Sequence, residues 1–401
     1  MDIYTARQPI FRRDKRVYAY ELLFRGGLTN VFPDIDGDSA TSKLLFNSFL
    51  NIGMDRITGR KKAFINFTRD MLVNRIPLMF PTGKIVVEIL EDVEPEAAVI
   101  NACREIAHKG YAIAMDDFYY KSGLETLISM ADLIKIDFRS TSSQKIGEYV
   151  KKLSEFNVDL LAEKVETYDE FRKAIEMGFC YFQGYFFSRP EIIKGRDISA
   201  SELNLLEIMA EANREELEIQ KLEKLIARDV AISYKLFRYI NSTYYKRTSE
   251  ISSIKQAIVL LGEMRIRRFL ALIAMTNLSP EKPDELLRTS IIRARFCELL
   301  GEMAGSRVSP SELFVLGLFS LIDAIMDDSM ENLMKKLPLS KDIKSALLCD
   351  KGRLKDYLNL AIYYETGDWG QIPEITAALG IKEEKLPQCF IDSLGWADSI
   401  A

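Results

Sequence analysis

Histidine is nearly missing from this chain: one, His108, serves 401 residues. Mechanisms that need two histidines, among them the common zinc hydrolases and the histidine–aspartate metal phosphohydrolases, are thereby excluded. His108 lies in "REIAHKGYAI", at an expected helix end, and reads as a surface residue. Cysteine is sparse too. Cys103, Cys180, Cys297, Cys349 and Cys389 are scattered, odd in number and never spaced C-x-x-C. They build no disulfide framework or zinc knuckle and fit a reducing compartment. A basic excess is also missing: the net charge is −5, so no nucleic-acid partner is expected. The strongest apolar run, "RRFLALIAM", falls far short of the roughly 18 residues of a membrane span. The opening "MDIYTARQPIF" lacks the apolar stretch of a signal peptide. A soluble, cytoplasmic protein without membrane association is expected.

What is present is an ordinary globular composition, 48% hydrophobic and 28% charged, at a length that suits two or three domains. The first half alternates β-rich runs with helical stretches, and the second half is helical by pattern. The change falls at "FFSRPEIIKGRDIS", Phe186 to Ser199, where proline, glycine and charges interrupt both periodicities. This places one domain over residues 1–195 and a second over 200–401.

Eight apolar runs organise the first domain. "IYTARQPIF" joins "VYAYELLF" through a link so short that only an antiparallel pair can form. The others are "KAFINFT", "GKIVVEIL", "YAIAMDD", "DLIKIDF", "VDLLAEKVE" and "FCYFQGYFF". Between them, "EAAVINACREIAHKG" and "TYDEFRKAIEMGF" carry helical spacing. A (β/α)₈ barrel spends roughly 30 residues per unit. The pattern therefore predicts an α/β fold, an eight-stranded barrel variant whose first strand is antiparallel to its second.

From the second onward, each run is marked by a polar residue that ends or interrupts it: Glu21, Asn66, Glu88, the pair Asp116 and Asp117, Lys135, Glu163 and Gln183. Any one of them reads most simply as a solvated loop residue. Together, on successive barrel strands, they converge on one mouth. Five carboxylates against one ammonium repel strongly, by about 4 kcal/mol for a pair at 4 Å and an effective dielectric of 20. Two divalent cations would balance them, and an all-oxygen donor set that includes Asn66 favours Mg²⁺ or Mn²⁺. Such a pair of ions suits in-line displacement at a phosphodiester. A Schiff-base role for Lys135 would need a depressed pKa, which neighbouring carboxylates oppose.

These motifs resemble the EAL domain, which hydrolyses or binds cyclic di-GMP. "YELLFR", "INFT", "EILE", "MDDF", "KID", "AEKVET" and "FQGYFFSRP" follow one another in family order over about residues 1–195. The resemblance implies metal ligands Glu21, Asn66, Glu88, Asp116 and Glu163, with Asp117 on or near a second metal. It implies catalytic roles for Lys135, Glu163 and Glu21, with Lys135 positioning or deprotonating the attacking water. Gln183 would support the site, Arg25 would grip a ligand phosphate, and Gln8 would contact guanine. The implied reaction opens one phosphodiester bond and releases pGpG. Glu91 matches a glutamate that braces the loop after the aspartates. That loop, "FYYKSGLETL", lacks the glycine-rich pattern of active relatives, and Lys164 replaces a usual glycine. Three readings stay open: a phosphodiesterase, a sensor that binds cyclic di-GMP without turnover, and a purely structural barrel. The resemblance also implies a homodimer through the barrel, coupled in the family to the loop that is altered here.

In the second half, the turn at Asp229, "INS" at Ile240–Ser242, Ser253–Ile254 and Leu261–Gly262 resemble the HDOD domain. The match is clear across about 201–285, with a helical extension to 401. The resemblance implies a signalling module for an unidentified protein partner. Arg265, Arg267 and Arg268 form a small basic group that reads as a solvated helix end.

Overall fold

The computed structural model describes residues 5–24, 54–121, 123–188, 208–209, 211, 217–240, 253–278, 283–305, 308–337, 339–349 and 352–400. Arg25, most of the expected domain junction, and Asn241–Ser242 of the "INS" motif lie outside these residues. The chain divides into two compact units. The first is Met1–Phe187 with Ile362–Glu374 and Lys382–Gly395; the second is Ser188–Ala361 with Ile375–Ile381 and Trp396–Ala401.

All eight apolar runs become strands: β1 (Thr5–Arg12), β2 (Val17–Phe24), β3 (Lys62–Phe67), β4 (Ile85–Ile89), β5 (Ala112–Met115), β6 (Leu133–Asp137), β7 (Asp159–Glu163) and β8 (Tyr181–Gln183). They close in sequence order into a barrel. β1 runs antiparallel to both β2 and β8, and the other neighbours are parallel. A turn closed by Arg12 N–H donating to Arg16 O at 2.9 Å makes the β1–β2 hairpin.

The barrel interior is filled by Ile10, Ala19, Phe64, Val86, Ala114, Leu133 and Leu161, all buried. Side chains alternate faces along a strand, so residues two apart point the same way. Two positions on from these core residues toward the mouth stand Gln8 (β1 runs backwards), Glu21, Asn66, Glu88, Asp116, Lys135 and Glu163. The apolar layer thus aims a polar layer directly above it.

Outer helices complete the barrel. Helix Ala97–His108 buries Val99, Ala102, Cys103 and Ile106, and His108 is exposed at its end. Helix Tyr168–Glu176 begins with a capping box, Thr167 with Glu170, worth about 1 kcal/mol. Its Phe171 stacks on Phe186 at 4.6 Å and meets Phe182 at 4.5 Å. Burying such a ring contributes roughly 1.5–3 kcal/mol.

The second unit is helical, with no strand among the described residues. The Asp229 turn is a helix cap: its Oδ1 accepts from Ala231 and Ile232 N–H at 2.9 and 3.0 Å, opening helix Val230–Ile240. Ser253 likewise caps helix Ile254–Leu278, which is interrupted at Gly262. The arginine group differs from expectation. Arg265 is exposed, but Arg267 pairs with Glu263 and Arg268 pairs with the fully buried Glu298. Arg268 also lies over the Phe314 ring at 4.9 Å. A buried carboxylate needs a cation, and Arg268 supplies it from inside rather than facing solvent. No helix among the described residues is long and apolar enough to cross a membrane.

Candidate active site

The polar layer forms one connected cluster. Lys135, on β6, is completely buried, and its Nζ lies 2.7 Å from Glu88, 2.7 Å from Asp116, 2.9 Å from Glu163 and 3.4 Å from Glu21. Glu21 accepts further hydrogen bonds from Gln183 Nε2 at 2.7 Å and Asn66 Nδ2 at 3.4 Å. Gln183 also donates to Gln8 Oε1 at 3.0 Å, and Gln8 Nε2 donates to the Thr366 carbonyl at 3.4 Å. Eight of the expected site residues therefore share the mouth.

The adjacent aspartates separate here. Asp116 N–H donates to the Ile89 carbonyl of β4, and Phe118 N–H to the Lys135 carbonyl of β6. Between those two anchors Asp117 adopts φ +37°, which swings its carboxylate to the rim. There Lys164 Nζ lies 3.4 Å from Asp117 Oδ1 and 2.6 Å from Asp137 Oδ2. Asp137 was not singled out from the sequence. The available signal was its place two residues after Lys135, on the same face of β6.

Glu91 is exposed and makes no hydrogen bond or ion pair among the described residues. The loop after the aspartates is held by other groups. Phe118 is buried and meets Tyr149 edge-on, Tyr120 donates to Glu125, and the Lys152 ammonium lies 4.0 Å over the Tyr120 ring. Lys121 pairs with Glu94 at 3.4 Å.

Electrostatics follows from burial. Glu163 is pushed up to about 8, chiefly by loss of water and also by Asp116 and Glu21, against the pull of Lys135. Burial likewise raises Glu88 well above the usual carboxylate range, again against Lys135. Burial alone would lower the Lys135 ammonium, but Asp116, Glu163, Glu21 and Glu88 together hold it well above its ordinary value. For Asp137, burial is outweighed by hydrogen bonds from Lys164 and from Ser140 and Arg139 N–H, leaving it below its ordinary value.

The cluster suits a hard cation by its donors. Glu88 Oε2 and Glu163 Oε2 are buried without a hydrogen-bond partner, and such oxygens are costly unless something positive meets them. Every available donor is oxygen, the preference of Mg²⁺, Mn²⁺ and Ca²⁺. As they stand, no three His, Cys, Asp or Glu side chains among the described residues are spaced to hold a metal. The Lys135 ammonium stands at the centre of these oxygens.

Residues 36–190 match the family model of the EAL domain, and residues 202–340 that of the HDOD domain. The chain is 38% identical over 400 residues to the cyclic di-GMP phosphodiesterase CdgJ of Vibrio cholerae, covering 99% of this chain and 93% of that protein. It is 36% identical over 408 residues to Bacillus subtilis YuxH, covering 100% of this chain and 99% of that one. A crystal structure of an EAL domain protein from Listeria monocytogenes is 22% identical, with a TM-score of 0.35, over 47% of this chain and 88% of that one. Two domain matches in order and full-length relatives lead to one conclusion: the chain belongs to the family in which an EAL domain is followed by an HDOD domain.

Proposed function

We propose that the barrel binds cyclic di-GMP and hydrolyses one of its phosphodiester bonds to give pGpG, using Mg²⁺ or Mn²⁺ at the mouth. The observation that carries this reading is the convergence of Glu21, Glu88, Asp116 and Glu163 on one buried ammonium. CdgJ, which carries that activity in its name, aligns over almost the whole chain.

Glu21, Asn66, Glu88, Asp116 and Glu163 would hold the cation, with Asp117 at the rim. Bound there, it supplies Lewis acidity at the phosphodiester. Lys135 stays protonated among its carboxylates, so it orients the attacking water and offsets charge gathering on the phosphoryl oxygens. One water adds across the P–O bond, and the ring oxygen leaves with a proton. Gln183 fixes Glu21 from behind, a supporting contact of the kind that orients metal ligands. Gln8 would contact a base edge with the amide proton and lone pair left over from its bonds to Thr366 and Gln183.

The loop after the aspartates favours a second reading, a sensor that binds without turnover, because aromatic packing holds it where relatives use glycine. In either case the helical part, residues 200–401, serves as the interaction module for an unidentified protein partner. The barrel, residues 1–195, is the face through which two copies would pair, and both act in the cytoplasm. Incubating the purified protein with cyclic di-GMP and Mg²⁺ or Mn²⁺, then separating products by chromatography, tests the enzyme reading. Formation of pGpG that disappears in Glu21→Ala supports it. Tight binding without product selects the sensor, and neither binding nor product overturns both.

A further inference from the structure

Lys164 stands in the left-handed region at φ +54°, where a glycine would rest without strain. It follows Glu163 directly, as Asp117 (φ +37°) follows Asp116. The ends of β5 and β7, which flank β6, thus turn outward in the same unusual way, and their side chains meet across it: Lys164 Nζ bridges Asp117 Oδ1 at 3.4 Å and Asp137 Oδ2 of β6 at 2.6 Å. Asp137 is otherwise filled, since its Oδ1 accepts from Arg139 N–H at 2.6 Å and Ser140 N–H at 3.1 Å.

The charges at the mouth divide into two layers. The inner layer, Glu21, Glu88, Asp116 and Glu163 around Lys135, carries the buried carboxylate oxygens that lack a partner. The outer layer is Asp117 and Asp137. Without Lys164 that outer pair would carry two negative charges, the complement of one divalent ion. In this chain a tethered ammonium stands between them instead.

We propose that Lys164 is a resident cation that occupies the outer position, so that the mouth takes one divalent ion, in the inner layer, rather than two. Provided the mouth takes divalent cations, as proposed above, Lys164 sets their number. Asp117 is then a partner of Lys164 and not a ligand, and the strained backbone at residue 164 is retained for the ammonium it carries.

The test counts Mn²⁺ bound by the full-length protein, by calorimetry and by electron paramagnetic resonance. The wild type should bind one ion per chain with the six-line spectrum of an isolated Mn²⁺. Lys164→Gly, which relaxes the backbone and so should fold, should bind two and show the spectrum of a spin-coupled pair. Lys164→Gln, which keeps a side chain at the same φ, should also gain the second ion. Adding Asp117→Asn to Lys164→Gly should return the count to one. Two ions in the wild type would overturn the role of Lys164 while leaving a metal-binding mouth intact. One ion in all variants would overturn it likewise. No ion in any of them would overturn the metal reading itself, and the role of Lys164 with it.

Discussion

Lys135 Nζ lies 2.7 Å from Glu88 Oε1, and neither side chain has any exposure to solvent. Each charge is tolerable only because the other is present, since isolated buried ions are very costly. Lys135→Met should therefore destabilise the barrel by about 3–5 kcal/mol when divalent ions are chelated. Adding Glu88→Gln to that variant should recover part of the loss, because it removes one of the stranded carboxylates. Denaturant unfolding in EDTA checks both, and equal stability of Lys135→Met and wild type would refute the coupling. Saturating Mn²⁺ should narrow the difference by supplying the missing positive charge.

The acidic cluster also sets a pH dependence. Glu163 is pushed from 4.5 to about 8 in the folded protein, mainly by burial. Over that interval the folded state holds a proton that the unfolded state has lost. The stabilisation from this group is complete below about pH 4.5, declines as pH rises toward about 8, and is gone above it. The slope is at most about 1.4 kcal/mol per pH unit for one group. Unfolding midpoints in EDTA between pH 5.5 and 8.5 should fall for the wild type and stay flatter for Glu163→Gln. Cation binding requires the deprotonated carboxylate, so at pH 7 it should release a proton, visible as a buffer-dependent calorimetric heat.

Gln183 tests the support of the ligands. Its amide donates to Glu21 at 2.7 Å and to Gln8 at 3.0 Å, so one side chain fixes a carboxylate and a base-contacting residue together. Gln183→Ala should reduce Mn²⁺ affinity or turnover about 10–100-fold, the usual effect of losing such a contact. Gln183→Glu should do worse, because it sets a fifth carboxylate against Glu21. Metal titration of the two variants decides the order, and the reverse order would argue against an acidic centre.

The polar mouth was legible in the sequence because the parallel strands are largely apolar runs marked near their ends by a polar residue, and burial on both faces produces such runs. Glu88 two positions after Val86, or Lys135 two after Leu133, needs only strand periodicity to be aimed correctly. The difference between Asp116 and Asp117 was not legible. It depends on the positive φ of Asp117, set by hydrogen bonds to two different strands. Lys164 could be seen as an odd residue in place of glycine, but its pairing with Asp137, 27 positions away, follows from the register of β6 and β7. Arg268 reads as surface because its partner, Glu298, lies on another helix and nothing local signals that it is buried.

Two helical glycines, Gly317 of the second unit and Gly395 of the first, offer a paired test of close packing. Helix Pro310–Phe319 crosses helix Asp284–Met303 at Gly317, where an added Cβ would stand 2.6 Å from the Arg293 carbonyl oxygen and 2.7 Å from Ala294 Cα. Both obstacles are backbone, so relief requires the helices to separate. Gly317→Ala should cost about 1–3 kcal/mol or more through overpacking, despite the better helix propensity of alanine. Gly395, exposed in helix Leu386–Ile400, has nothing within 4 Å of its Cβ position. The same substitution there should stabilise by about 0.5–1 kcal/mol. Opposite signs for one chemical change, measured by thermal unfolding, would isolate the helix crossing as the cause. Stabilisation by both would show that the crossing at Gly317 is looser than its backbone distances indicate.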